Sequence, residues 1–512
     1  MNLFLLFSML ACWTRNPGPV PVEEAQEPVR VLAVQSPGPA SWLEVSVRAG
    51  AAHDSPGREG LAWLTARMLR EGGTASRSPE EVDAVLESMG ASLSVMVDYE
   101  LCSFRLKALE EDLPAASALL GELFSRPAWD AAAFSRLKVQ ASEALGRGIL
   151  ASDERLGATV FNIWMFQGHP YGHPLQGRAG VVPVLSLEDV RNFYADRYVR
   201  PAAVLGAAGP MAGPAGSLDS AHPGTAAVHG LQKQLTEAFA ARLYKAPTPK
   251  KFPEPKGREL LVVEKETDAA GIHFGFPTEL HRGHPDWPAM LVATTALGAH
   301  RQSFGRLYKA LRGARGLNYG DYAYIESYRQ AGGSRSQETG TGRLQNPFYV
   351  WLRPVSAANG PFALRAAVAM VEDFAANGLA DEEFQTVRTY LSRQVALWAK
   401  NPGRRLGWKT EAALMGWPDP VSSLPGRIQS LSLEDVNQAI ARHVRPEALK
   451  ALVVTRAGEE FSAAVEGDSS PIVYDAEPPA PASDQAVEDG EFARHPLGFT
   501  TTTWRSAEGI LQ

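Results

Sequence analysis

Histidine and cysteine are the residues in this chain best suited to soft-metal or nucleophilic chemistry, and their spacing limits what they can do. His169 and His173 stand four apart in Gly168-His-Pro-Tyr-Gly-His-Pro174, the separation that aims two imidazoles at one ion on a helix. Two prolines and a glycine inside that stretch break the helical geometry, so it reads as a turn. His53, directly before the turn Asp54-Ser-Pro-Gly57, also reads as a turn residue. Cys12 and Cys102 are too few for a disulfide framework or a cysteine-based zinc site. No His and carboxylate cluster with ligand spacing is apparent. The glycine-rich stretch Gly332 to Gly342 has no Gly-Lys-Ser/Thr after it, which excludes a phosphate loop and leaves a mobile hairpin loop as the expectation.

The chemistry becomes more specific at Gly60 to Thr74, Gly-Leu-Ala-Trp-Leu-Thr-Ala-Arg-Met-Leu-Arg-Glu-Gly-Gly-Thr. This stretch resembles the zinc helix of the pitrilysin/insulinase metallopeptidases, whose His-x-x-Glu-His motif follows Gly-Leu-Ala and runs into Met-Leu and a Gly-Thr exit. The motif positions hold Trp63, Ala66 and Arg67 here. Trp63 has no lone pair to coordinate with, Ala66 cannot take a proton from water, and Arg67 is a permanent cation. The resemblance places the family's third ligand, a Glu, at Glu143. Two readings of Glu143 stand: a solvated helix charge, or the partner of Arg67 in an ion pair where the metal would sit. A second resemblance lies in Ser303-Phe-Gly-Arg-Leu307, Leu311-Arg312 and Arg315-Gly-Leu-Asn-Tyr319. In active members an Arg and a Tyr seven residues apart reach over the zinc site, and Arg312 and Tyr319 keep that spacing. An Arg fork and a phenol can hold a peptide carbonyl and the oxyanion formed on it. Apart from the resemblance, Arg312 reads as a solvated helix charge and Tyr319 as a strand residue.

The elements that must position these residues follow from periodicity. Val29 to Val34 and Trp42 to Arg48 alternate as half-buried strands, and a turn then leads into a helix at Gly60. Ser78-Pro-Glu-Glu81 starts a second helix; Ala91 to Tyr99 is a strand continuing through Phe104 and Leu106. Leu113 to Phe124 is an amphipathic helix, and Asp130 to Met165 a long helical stretch carrying Glu143. After a Gly, Ala and Pro-rich region the pattern restarts. Leu185-Ser-Leu-Glu-Asp-Val190 recurs verbatim as Leu431 to Val436, and Val199-Arg-Pro201 recurs as Val444-Arg-Pro446. Matches at nearly constant offset imply a duplicated domain, with a period far too long for a solenoid.

The expected architecture is α+β of the α/β sandwich type. It comprises two homologous domains, each a mixed, mostly antiparallel sheet backed by helices, forming a clam-like chamber. The divisions are 1–27 leader and lead-in, 28–208 first domain, 209–257 linker with a helix over Leu231 to Tyr244, 258–458 second domain, and 459–512 an acidic, Pro-rich tail laid extended on the surface. A net charge of −7 without any basic stripe excludes nucleic-acid binding. Asn2 to Ala11 is an apolar run of signal-peptide length followed by Cys12. That arrangement resembles a bacterial lipoprotein processing site, with lipidation at Cys12 and an envelope or periplasmic location; a mis-assigned start and a cytoplasmic chain is the other reading. No other segment is apolar enough to cross a bilayer.

The resemblance implies a non-catalytic subunit, inactive alone and holding no metal, which pairs with a zinc-bearing homologue and helps it grip unfolded peptide or small protein. The rival expectation is a peptide-binding or envelope-assembly protein with no role in proteolysis.

Overall fold

The repeated Leu-Ser-Leu-Glu-Asp-Val segments fold alike. Ser186 and Ser432 each cap a helix, accepting the amide of Asp189 or Asp435 at 3.1 Å while that aspartate accepts the serine's own amide. The duplication extends to both sheets. The computed structural model describes residues 26–213, 216–246, 250–252, 257–326, 338–474 and 483–511. Cys12 with its leader, most of the glycine-rich stretch and the Pro-rich part of the tail lie outside these residues.

The first half runs Arg30–Gln35 (β1), Ala40–Val47 (β2), Leu61–Glu71 (α1), Pro79–Ser88 (α2), Ser92–Val97 (β3), Cys102–Leu109 (β4), Leu113–Ser125 (α3), Ala131–Glu143 (α4), Asp153–Met165 (α5), Leu187–Arg197 (α6), Ala203–Gly209 (β5) and Pro223–Ala238 (α7). The second half begins with Arg258–Glu264 (β6), Ala269–Thr278 (β7), Trp287–Gly298 (α8), Asp321–Tyr324 (β8), Asn346–Ser356 (β9), Gly360–Asn377 (α9), Asp381–Trp398 (α10) and Pro402–Met415 (α11). It continues through Pro420–Gln429 (α12), Leu433–His443 (α13), Lys450–Thr455 (β10), Gly458–Glu466 (α14), Ser483–Arg494 (α15) and Phe499–Ser506 (β11). The sheets have orders β1-β5-β2-β4-β3 and β11-β6-β10-β7-β9-β8. One parallel pair, β1 with β5 or β6 with β10, is followed in each by antiparallel neighbours. The fold is α+β with two domains, as expected, and β11 is an addition with no counterpart in the first sheet.

Four local expectations are corrected. The stretch from Ala91 through Leu106 is a hairpin, turned where the Asp98 amide donates to the Leu101 carbonyl at 2.9 Å. The long helix expected over Asp130 to Met165 passes through a π-helical turn at Ala144–Gly148 and breaks at Ser152, whose hydroxyl caps α5. The region 209–257 contains α7, eight residues earlier than expected, packed on α3 with Val228, Leu231 and Leu235 in the first core. The tail is not simply extended: α15 follows, and the Thr-rich β11 pairs in parallel with β6, because β-branched side chains suit a pleated edge.

Each half lends a helix to the other. α5 lies on the second sheet, burying Leu156, Val160, Phe161 and Met165 in one cluster with Leu261, Val263, Tyr349, Trp351 and Leu452. Each such side chain contributes about 1.5–3 kcal/mol. α11 lies on the first sheet, where Leu406 joins Val34 and Ala208, and Leu414 and Met415 join Leu32 and Val204. Both helices carry a glycine at the closest approach. A Cβ on Gly157 would stand 2.2 Å from His273 Nε2, and one on Gly403 would stand 2.7 Å from Trp42 Cδ1 of β2.

Candidate functional site

The α1 helix starts where Asp54 accepts the Gly60 and Ala62 amides at 2.6 and 2.8 Å, a carboxylate at the positive end of the helix dipole. Its motif face carries no metal chemistry. Ala66 is fully buried. The Arg67 guanidinium lies 5.3 Å from the Trp63 ring centroid, and its Nε pairs with Glu71 at 2.6 Å. Glu143, the last residue of α4, is exposed and makes no ion pair with Arg67. The ion-pair expectation is therefore corrected: Glu71, one turn along the same helix, is within easy reach of Arg67 and takes its place. An indole, a methyl and a guanidinium cannot hold a divalent cation, so these residues do not fit zinc.

Arg312 and Tyr319 are brought together. A π-helical turn at Tyr308–Gly313, anchored by buried Leu311, carries Arg312. Such turns are rare and are frequent at functional sites. Arg312 Nη1 donates to the Tyr319 carbonyl at 2.6 Å, and its guanidinium lies 4.4 Å from the Tyr319 ring centroid and 5.1 Å from that of Tyr308. The cation is preorganised by two aromatic faces. Tyr319 is 66% exposed, an open position for a large ring. Arg353 comes from β9, with its guanidinium 5.5 Å from the Tyr319 ring centroid and an ion pair to Glu154 of α5 at 2.8 Å. Sequence reasoning missed Arg353, which is placed by the register of β8 on β9, where the Arg353 amide donates to the Gly320 carbonyl. No hydrogen bond, ion pair or ring contact among the described residues joins Arg312 or Tyr319 to Trp63, Ala66 or Arg67.

The histidines are structural. His53 Nε2 bonds the Tyr244 hydroxyl at 2.8 Å, and burial pushes its pKa down to about 3. His169 Nε2 meets Gln345 at 2.7 Å and burial lowers it to about 4, whereas His173 Nδ1 donates to the Pro174 carbonyl at 2.8 Å. The two rings do not converge. Cys102 is buried and receives the Tyr198 hydroxyl at 3.6 Å.

A His/Asp cluster invisible in sequence spacing does form. His284, Asp286 and His443 present ligand atoms within 4.8 Å of one another. The Asp286 carboxylate is already engaged by His443 Nε2 at 2.7 Å and by Arg442 at 3.1 Å. His284 Nδ1 accepts the Asp286 amide, which leaves the proton on Nε2, and Arg427 donates to the His284 carbonyl. Two guanidiniums and an occupied imidazole make this a clamp between the β7–α8 connection and α13.

Between the halves, polar groups close the space that α5 and α11 leave. Arg282, almost wholly buried, pairs with Glu411 at 2.6 Å and Glu326 at 3.0 Å and stacks on Trp408. Glu44 of β2 accepts from Thr410 of α11 and from Arg105, which also donates to Thr339. A cavity of about 360 Å³ remains, lined by Tyr99, Phe161, Asn162, Arg343 and Tyr349 among others. That volume suits one small molecule, not a polypeptide.

Comparison with known proteins agrees with this geometry. Residues 30–161 match the model for insulinase (peptidase family M16), and residues 227–391 match that for the peptidase M16 inactive domain. An uncharacterized zinc protease of Mycobacterium tuberculosis is 23% identical over 444 residues, covering 84% of this chain and 90% of that protein. Subunit 1 of the bovine mitochondrial cytochrome b-c1 complex is 26% identical over 191 residues, 37% of this chain and 39% of that one. The crystal structure of a peptidase M16 inactive domain from Pseudomonas fluorescens superposes with a TM-score of 0.69 at 19% identity, covering 83% of this chain and 95% of that one, and so shares the fold.

Proposed function

Because the chain belongs to the insulinase (M16) peptidase family, we propose that it is a non-catalytic subunit that binds unfolded peptide and lends Arg312 and Tyr319 to the zinc site of a homologous partner. The observation that carries this reading is the coexistence of two states in one chain. The α1 face offers no metal ligand and no general base, while Arg312 is held between two aromatic rings beside an exposed Tyr319. A peptidase homologue without ligands has no use for an oxyanion-binding pair of its own. Three further features support pairing. The space between the halves is filled by α5 and α11, so a chamber wide enough for polypeptide needs a second chain. β3 is the edge strand of the first sheet, paired within it with β4 alone, and sheet edges are where extended peptides add. A relative of this chain is itself a subunit of a multi-chain complex. Lipidation at Cys12 would hold the assembly at an envelope membrane.

The same similarity to a cytochrome b-c1 subunit favours a second reading, a purely structural or assembly role. The test is to purify the chain alone and with a zinc-motif homologue, then assay bound zinc and cleavage of an unstructured peptide. No zinc and no cleavage alone, with activity in the mixture that falls on Arg312→Ala or Tyr319→Phe, supports the helper subunit. A complex whose activity ignores both substitutions supports the structural role, and chelator-sensitive cleavage by the chain alone overturns both.

A further inference from the structure

The second sheet ends at β8, and around that edge the chain gathers more positive charge than it neutralises. Arg312 is fixed by its stacking on Tyr308 and Tyr319 and has no acidic partner among the described residues. Arg353 comes from β9 to the same Tyr319 ring, and its Glu154 partner is itself partly exposed. A third guanidinium belongs to Arg301. The residue before it, His300, is locked in place, with Nδ1 2.7 Å from the Tyr324 hydroxyl and its ring 4.6 Å from that of Tyr322. Arg301 follows with φ of 56°, a left-handed conformation that a long side chain seldom adopts. Backbone held in such a region at a cleft or edge is a recurrent mark of a functional site. Arg301 is exposed and makes no ion pair among the described residues.

Among the described residues, the acids near this edge do not balance it. Asp321 is fully buried, its Oδ1 taken by Asn318 Nδ2 at 2.6 Å, and burial pushes its pKa up to about 7, so it is partly neutral at physiological pH. Glu154 is committed to Arg353. Arg312 and Arg353 approach the one Tyr319 ring at 4.4 and 5.5 Å, and Arg301 directly follows the histidine whose ring packs on Tyr322 of the same edge strand.

We propose that Arg301, Arg312 and Arg353 form a recognition site for a carboxylate carried by the bound peptide, so that this subunit selects acidic or carboxylate-terminated segments. The inference rests on the peptide-binding reading above and adds a substrate class to it. Guanidinium forks match carboxylates bidentately, and the aromatic faces of Tyr308 and Tyr319 hold one fork without consuming its charge. Acidic side chains and a free C-terminus share this chemistry.

The test measures fluorescence anisotropy of labelled unstructured peptides of equal length binding to the full chain without a partner. One pair differs by internal Glu against Gln, another by a free against an amidated C-terminus. A carboxylate is expected to tighten binding about tenfold, the order of one charge-assisted hydrogen bond, and added salt to erode the gain. A gain for the Glu peptide identifies side chains as the ligand, and a gain for the free acid identifies the C-terminus. Arg301→Asn, which tolerates the left-handed backbone, and separately Arg353→Gln should abolish the gain, while Arg191→Gln on α6 should not. Equal binding of all four peptides, or a gain that survives Arg301→Asn and Arg353→Gln, overturns the carboxylate site and leaves peptide binding standing. No binding of any peptide overturns both.

Discussion

Lowering the pH from 7 to 5 should weaken the second domain, and the most completely buried of its imidazoles isolates one share of that loss. His273 on β7 is completely buried; Nδ1 shares a 2.7 Å hydrogen bond with the Tyr349 hydroxyl, and Nε2 has no partner among the described residues. Burial lowers its pKa from 6.5 to about 3. A group depressed in the folded state contributes stability above its unfolded value that is lost as pH falls toward the folded one, here a window from 6.5 down to about 3. Between pH 7 and 5 the unfolded chain binds a proton that the folded chain refuses, which costs about 2 kcal/mol. The assay is urea unfolding followed by tryptophan fluorescence at both pH values. The double variant His273→Phe/Tyr349→Phe removes both polar partners together, so it should keep most of the stability at pH 7. It should also lose about 2 kcal/mol less than the native chain on going to pH 5. His53, lowered to about 3, and His169, His281 and His300, each lowered to about 4, still contribute their own dependence in both proteins. An identical pH loss in native chain and double variant would refute the argument.

Three further outcomes follow from packing and charge. Gly157→Ala puts a methyl into the His273 ring and should destabilise by about 1–3 kcal/mol despite better helix propensity, measured by denaturant midpoint. Glu411→Ala leaves Arg282 with Glu326 as its remaining acid and orphans the Gly340 amide, so a loss of about 1–3 kcal/mol is expected, with faster hydrogen exchange at residues 338–342; retained protection there would contradict the network. Arg67→Ala removes only a half-exposed pair along one helix, and a change above about 0.5 kcal/mol in thermal or urea unfolding would show that Arg67 holds more than Glu71.

Much of this molecule was legible in its sequence. The verbatim Leu-Ser-Leu-Glu-Asp-Val repeat announced the duplication because a capping serine and its aspartate are local and must recur wherever that helix start recurs. The replacement of metal ligands by Trp63, Ala66 and Arg67 was equally legible, since coordination depends on residue type before it depends on shape. The seven-residue spacing pointed to Arg312 and Tyr319, and a short loop closed by a π-turn is enough to join them. What spacing could not supply was contact between distant strands and helices. Glu143 and Arg67 share the register of the family's motif but form no ion pair, because an acid one turn away satisfies the cation first. Arg353 meets Tyr319 only through the pairing of β8 with β9, and His284 meets His443 only through packing of α13 beside α8. The exchange of α5 and α11 between the halves was decided by tertiary structure alone. Their apolar faces are indistinguishable in sequence from those of helices that cover their own sheet, and Gly157 on α5 and Gly403 on α11 mark where the other half comes close, at His273 and Trp42.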